Sequence, residues 1–315
     1  MDTVNPVESR RADGGLLRWA VLPRRTTLHL FGATFAVVLW GASFSVTRAA
    51  VQEIPPLTLA FLRFTLATLV LWPVVRRRWG RLSVAPEDRR TAFALGFVGV
   101  TLYFLFENVG LRYTTASHGA LIVATVPLAS VLAEAAARRR LPPTPVLGGL
   151  LAALAGVGLI VDWRGGGEAS LLGDSLLFGA VFSWVGYTFL VRRLSRRYPN
   201  LWITHAAMAV GAVTLFPLAV VEMALHPWTP PSPAAWGAVA YLGVFCSALA
   251  YLLWNRAIPV LGVSVTNNLI YGIPLVGVLT GVLALGEPFT PALFAGGALI
   301  LGGVAVAHRH SEAGG

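Results

Sequence analysis

Residues 117–136 read SHGALIVATVPLASVLAEAA, and residues 264–284 read SVTNNLIYGIPLVGVLTGVLA. Each is an almost uninterrupted apolar run close to the ~20 residues a helix needs to cross hydrocarbon. They also match one another. At a constant offset of 147, Ser117 falls on Ser264 and Pro127-Leu128 on Pro274-Leu275. Followed outward without a gap, the match covers 95–161 against 242–308. It pairs Gly96 with Gly243, Asn108 with Asn255, Gly149 with Gly296 and Gly156-Val157 with Gly303-Val304. The earlier part of each half repeats at an offset of 144, where Trp40 meets Trp184, Arg48 meets Arg192, Pro55 meets Pro199 and Pro73 meets Pro217. Apolar composition alone does not place glycine, proline, asparagine and tryptophan in register twice.

The same apolar pattern extends through the chain. Spans are expected at 30–50, 57–75, 91–111, 117–136, 145–162, 173–191, 200–222, 235–255, 264–284 and 291–307, separated by breakers such as Pro55-Pro56, Pro142-Pro143 and Pro230-Pro231. Of the 315 residues, 56% are hydrophobic and 12% charged, with a mean hydropathy of +0.70. Soluble domains carry about 25% charged residues, so the expected fold class is all-α and integral to a membrane.

The net charge of +10 comes entirely from arginine and lies in short clusters between spans. That is how membrane orientation is encoded, and no separate basic domain exists to bind nucleic acid. Alternation across ten spans puts the clusters at 10–25, 76–90, 138–140 and 192–197, with Arg256 and Arg309, on one side. Arg48, Arg63, Arg112 and Arg164 lie toward the other. Positive charge marks the cytoplasmic side, so both termini are expected there, in a multi-pass protein of the cytoplasmic membrane. Residues 1–29 read as a retained cytoplasmic tail despite Ser9-Arg10-Arg11, and 308–315 as a second tail.

Two halves of five spans, 30–162 and 173–307, must run in opposite senses, because five is odd. The expectation is an inverted repeat, an architecture suited to alternating access. Several motifs then resemble the EamA domain of the drug/metabolite transporter superfamily. They are Leu39-Trp40-Gly41-Ala42-Ser43-Phe44, Leu62-Arg63-Phe64, Leu111-Arg112-Tyr113-Thr114-Thr115-Ala116-Ser117 with Pro127-Leu128, and Gly286-Glu287-Pro288. The resemblance spans about 31–307. It implies a ten-helix transporter with a central cavity shared by both halves, commonly an exporter of amino acids, other metabolites or drugs. One departure is plain: the first half has Arg139-Arg140-Leu141 where the second has Gly286-Glu287-Pro288.

Polar groups inside apolar spans cost several kcal/mol unless paired or hydrated, so they mark candidate sites. Arg63 and Glu107 sit at similar depths with opposite charge and are expected to form an intramembrane ion pair, with His118 as a third member. Its role is either structural or that of a proton or substrate-amine site. Trp40 and Ser43 share one face of the first span with Thr47, and Trp184 and Tyr187 share the mirrored face of the sixth. Tyr103 lies one turn before Glu107, and Asn267 and Tyr271 lie one turn apart in the ninth span. These faces serve either as cavity lining or as helix–helix glue. Gly32 and Ala36, Gly277 and Gly281, and Gly148, Ala152 and Gly156 recur at spacings that let helices pack closely.

No catalytic residue, metal site or cofactor is expected. The histidines lack ligand spacing, no phosphate-binding loop is present and no serine-nucleophile motif occurs. The single cysteine, Cys246, allows no intramolecular disulfide. The expected function is a secondary transporter exporting a small metabolite, amino acid-like or an amphipathic, drug-like compound, with proton coupling open and either a monomer or a homodimer. The alternatives are a membrane-embedded enzyme and a non-transporting scaffold.

Overall fold

The computed structural model describes residues 24–80, 84–137, 139, 141, 144–160, 170–225, 229–261, 269–270 and 272–312. Among them there is no strand. Helical runs follow one another as α1 (Arg24–Ala50), α2 (Pro56–Trp79), α3 (89–113), α4 (116–137), α5 (Thr144–Ile160), α6 (Leu171–Leu194), α7 (Asn200–Leu225), α8 (233–261), α9 (Gly272–Leu285) and α10 (Pro291–Glu312). The runs α1, α2, α3, α6, α7 and α8 contain six segments long and apolar enough to cross a membrane. The apolar parts of α4, α5, α9 and α10 are shorter. The expected start of the ninth span at 264, and the tail 1–23, lie outside the described residues.

Local chemistry sets the boundaries. Pro56 opens α2 at a position whose N–H has no helical acceptor, and Gly80 ends it with φ of 61°. Thr115, Ser170 and Ser232 each take a backbone N–H three residues on, starting α4, α6 and α8. Pro73 and Pro217 lie inside α2 and α7, at repeat-equivalent places. The run α4 breaks at Ala124-Thr125, between Ala116–Val123 and Val126–Ala137.

Two features were not legible in the spans. α3 widens into π-helical turns over Phe97–Leu102, and α8 does so over Tyr241–Leu249. Under the offset of 147 these stretches overlap. Such wide turns shift every following side chain around the helix axis and recur at functional sites.

Packing is closest where glycine removes the side chain. On Gly96 an added methyl would strike Val210 and the Ala207 carbonyl of α7; on Gly243 it would strike Leu66 and the Arg63 carbonyl of α2. Those contacts are repeat mates of each other: 96 with 243, 63 with 207, 66 with 210. Between α5 and α10, Gly156 faces the Gly296 carbonyl and Gly303 faces that of Gly149. Exchanging the halves maps one contact onto the other. Large apolar side chains such as Phe31, Leu151, Val213 and Leu283 stay at least 68% exposed, which gives the bundle a surface suited to lipid rather than water.

Candidate functional site

A cavity of about 70 Å³ lies between the halves. Its walls come from α1 (Trp40, Ser43), α2 (Arg63), α3 (Tyr103, Glu107), α6 (Trp184) and α8 (Tyr251), with Val123 and Val126 from α4, Ile270 from the approach to α9 and Ile273 from α9 itself. The aromatic rings interlock. Trp40 lies 5.2 Å from Tyr251 and 5.1 Å from Trp254, and Tyr103 lies 5.3 Å from Trp184 between ring centroids. The Trp40 indole N–H donates to the Cys246 carbonyl over 2.9 Å, where the wide turn of α8 presents it.

The lining is largely made of repeat mates. Trp40 pairs with Trp184 at offset 144; Phe104 with Tyr251, Val123 with Ile270 and Val126 with Ile273 at offset 147. Its charges are not duplicated. Arg63 and Glu107 both come from the first half, and their mates are Ala207 and Trp254.

Both members of the expected ion pair reach this cavity. Arg63 and Glu107 line the same cavity but make no direct contact within 4 Å among the described ion pairs. The Tyr103 hydroxyl donates to Glu107 Oε1 over 2.9 Å, from one turn earlier on α3. Arg63 Nε donates to Ser247 Oγ over 3.1 Å, and its guanidinium carbon sits 4.5 Å from the Phe104 centroid and 5.1 Å from that of Phe64. An aromatic face holds a desolvated cation without neutralising it. Both side chains are buried and reach the same cavity from α2 and α3.

His118 is elsewhere. Its Nδ1 lies 3.2 Å from Asp174 Oδ2 in the first turn of α6, and Thr114 Oγ1 donates to Asp174 Oδ1 over 2.6 Å. Tyr187 packs on Trp184, with ring centroids 5.1 Å apart, and against Gly99, but does not line the cavity. Asn267 and Tyr271 lie outside the described residues.

Near His118, one end of the bundle is tied by carboxylates. Glu287, buried in the turn after α9, accepts from Ala116 N over 2.6 Å, from Ser117 N over 3.0 Å and from the Ser117 hydroxyl. It therefore finishes the start of α4, and Gly286 at φ 70° makes the turn that delivers it. Glu222 at the end of α7 accepts from Leu57 N over 3.1 Å, and from Thr58 N over 2.8 Å, at the start of α2. Glu53 accepts from Ser232 N over 2.8 Å and from the Ser232 hydroxyl over 2.9 Å, at the start of α8. These bonds hold the Glu53 carboxyl below its ordinary range, the backbone N–H contributing most. At the opposite end Arg197 bridges Glu87 over 3.2 Å and Asp88 over 3.1 Å, and Asp88 holds the guanidinium in its charged form.

Sequence reasoning missed Ser247, Tyr251, Asp174 and Glu222 as functional or bracing residues, and it singled out Glu287 only within the Gly286-Glu287-Pro288 turn. Tyr251 carries a usable signal, being the repeat mate of Phe104 on a face already containing Tyr103 and Glu107.

The model of the EamA-like transporter family matches residues 27–162 and again 171–308. An uncharacterized transporter of Archaeoglobus fulgidus is 29% identical over 88% of this chain and 95% of its own length. The uncharacterized transporter YyaM of Bacillus subtilis is 28% identical over 86% of this chain and 90% of its own. A probable terminal-alkyne amino-acid exporter of Streptantibioticus cattleyicolor is 26% identical over 90% and 94%. A solved crystal structure superposes with a TM-score of 0.63 at 24% identity, over 90% of this chain and 97% of the other, and speaks for the fold alone.

Proposed function

The chain belongs to the EamA-like transporter family, a multi-pass membrane transport protein rather than an enzyme, and from that premise we propose that it exports an amino acid-like zwitterion across the cytoplasmic membrane by alternating access. The separated charges of Arg63 and Glu107 in one aromatic cavity carry this reading. Arg63 would take a carboxylate, with Ser247 leaving its two terminal nitrogens for the bidentate contact that carboxylates favour. Glu107 would take the ammonium group, and Trp40, Trp184 and Tyr251 an apolar or aromatic side chain. The exporter from Streptantibioticus, named for an amino-acid substrate, supports that class.

Ten spans in two inverted repeats, 30–162 and 173–307, supply the mechanism. Two family matches and the mated contacts of Gly96 with Gly243 and of Gly156 with Gly303 support it. The cavity, at about 70 Å³, is well below the ~300 Å³ at which small-molecule pockets begin, so loading requires the halves to part. Both termini are cytoplasmic in this reading, from the arginine clusters. Tags on both ends that faced opposite sides would remove the inverted arrangement.

The decisive test is counterflow of labelled leucine, phenylalanine and tryptophan in proteoliposomes, beside their decarboxylated amines. Arg63→Gln lowers amino-acid flux by about a hundredfold, since truncating one partner of a buried charged contact costs 2–5 kcal/mol, while amine flux is spared. Equal loss for both substrate sets, or none, refutes the carboxylate assignment. Glu107→Gln separates the remaining roles: an amine site loses affinity, whereas a proton site loses the dependence of flux on the pH gradient.

A further inference from the structure

At the arginine-rich end, a crevice of about 320 Å³ opens between α8 and the ends of α1, α2 and α7, with His29, Asn200, Leu201 and Leu252 beside the arginines. A second hollow of about 360 Å³ adjoins it, sharing Arg78 and Arg256 and adding Arg77. Among the described residues, none of these three arginines has a carboxylate partner. Helix-end charge balance accounts for Arg77 and Arg78, in the last turn of α2, but not for Arg256, which lies within α8. Arg78 is steadied by Trp79, whose ring centroid lies 5.7 Å from the guanidinium.

The repeat says what such a niche holds. Arg78 is the mate of Glu222, and Leu201 and Trp202 are the mates of Leu57 and Thr58. At the other end, the Glu222 carboxylate fills the equivalent niche and takes both backbone N–H groups. Here the residue supplying that carboxylate is replaced by a cation, and two further cations face the opening. The niche is therefore shaped for an anion that the described chain does not itself provide.

Its surroundings choose the source of the anion. The adjoining hollow is walled by Pro73 and Val74, and α2 beside it presents Leu69, Val70 and Trp72 at 63%, 38% and 48% exposure. An apolar flank directly beside a polar, cationic hollow suits a molecule with an anionic head and hydrocarbon chains. Basic pockets between transmembrane helices bind phospholipid head groups in this way. We propose that Arg77, Arg78 and Arg256 form a binding site for the phosphate of an anionic phospholipid, whose acyl chains lie along the exposed face of α2.

Native mass spectrometry of the full chain in detergent, titrated with phosphatidylglycerol, phosphatidylcholine or glycerol 3-phosphate, tests this. Phosphatidylglycerol binds with at least tenfold preference over phosphatidylcholine. Arg78→Gln/Arg256→Gln weakens it about thirtyfold, from roughly 1 kcal/mol per arginine near a membrane surface. Arg89→Gln/Arg90→Gln, at the same end but off the crevice, leaves it unchanged. Arg78→Lys/Arg256→Lys retains most of the binding, and serves if the glutamine variant does not fold. Equal weakening by the two glutamine pairs would mean general attraction to a basic face and overturn the site. Equal binding of phosphatidylcholine would do the same. Glycerol 3-phosphate binding as tightly as the lipid, and lost in the same variant, would make it a site for soluble phosphates instead. None of these readings involves flux, so the outcome stands apart from that of the transport assay.

Discussion

Glu222 finishes the start of α2 at one end of the bundle, whereas its mate Arg78 borders an open crevice at the other. The same exchange recurs twice. Glu53, bound to the start of α8, has Arg197 as its mate, and Glu287, bound to the start of α4, has Arg140. By contrast, four pairs of the cavity wall keep their character across the repeat, Trp40 with Trp184, Phe104 with Tyr251, Val123 with Ile270 and Val126 with Ile273. Packing constrains both copies alike because each must fill the same space. Charge is constrained by the side of the membrane on which a residue ends up, and in the proposed inverted arrangement the two copies lie on different sides. Carboxylates that complete helices at one end thus correspond to arginines at the other, and the two ends are not equivalent in what ties their helices.

The largest break in that comparison comes from Glu287. It is 5% exposed and its carboxylate meets three donors, two of them the first N–H groups of α4. Glu287→Ala leaves those donors buried without acceptors, at roughly 1–3 kcal/mol for each. The variant should lose about 3 kcal/mol or more, read as a fall in thermal midpoint in detergent. Glu287→Gln, which keeps one acceptor oxygen, should recover about half. If alanine is as stable as wild type, the acid-tied end is not held by this carboxylate.

Glu222→Ala is the middle case. Its carboxylate is partly exposed and water can replace some of its bonds to Leu57 and Thr58. The loss should resemble that of a helix cap, about 1–2 kcal/mol, with hydrogen exchange rising first at the start of α2. A sharper form exchanges the mates: Arg78→Glu should reduce lipid binding at the arginine-rich end while leaving the start of α2 untouched.

How much of this was legible follows from what a sequence encodes locally. Span positions rest on apolar length and on breakers such as Pro55-Pro56, and α2, α3 and α6 to α8 begin within two residues of expectation. The wide turns at Phe97–Leu102 and Tyr241–Leu249 leave no local signature, since no proline or charge marks them. The candidate lining was half legible for the same reason. Depth along a helix can be counted, which brought Arg63, Tyr103 and Glu107 together. Partners across the bundle cannot, so His118 was drawn toward Glu107 rather than Asp174, 56 residues away. Glu287 sits in a recognisable turn, yet nothing near it names Ala116 and Ser117, 171 and 170 residues distant, as its targets.

The smallest effect sharpens the comparison most cleanly, because it can be titrated. Glu53 is bound by the Ser232 N–H and hydroxyl, and both favour its charged form against a slight opposing effect of burial. Its carboxyl thus releases its proton more readily in the folded chain than at the ordinary value of 4.5. The tie is complete above that value, where folded and unfolded chains are both ionised, and it fades as pH falls through the lower folded value. Glu53→Gln cannot follow that course. The difference in thermal midpoint between wild type and variant should be flat from pH 8 to about 5.5, and should shrink only below ~4.5. Because the group is exposed, that difference stays under about 2 °C. A difference that grew on acidification would mean the bound carboxyl is held protonated instead, and would remove Glu53 from the set of anionic ties that distinguishes this end from the one carrying Arg197.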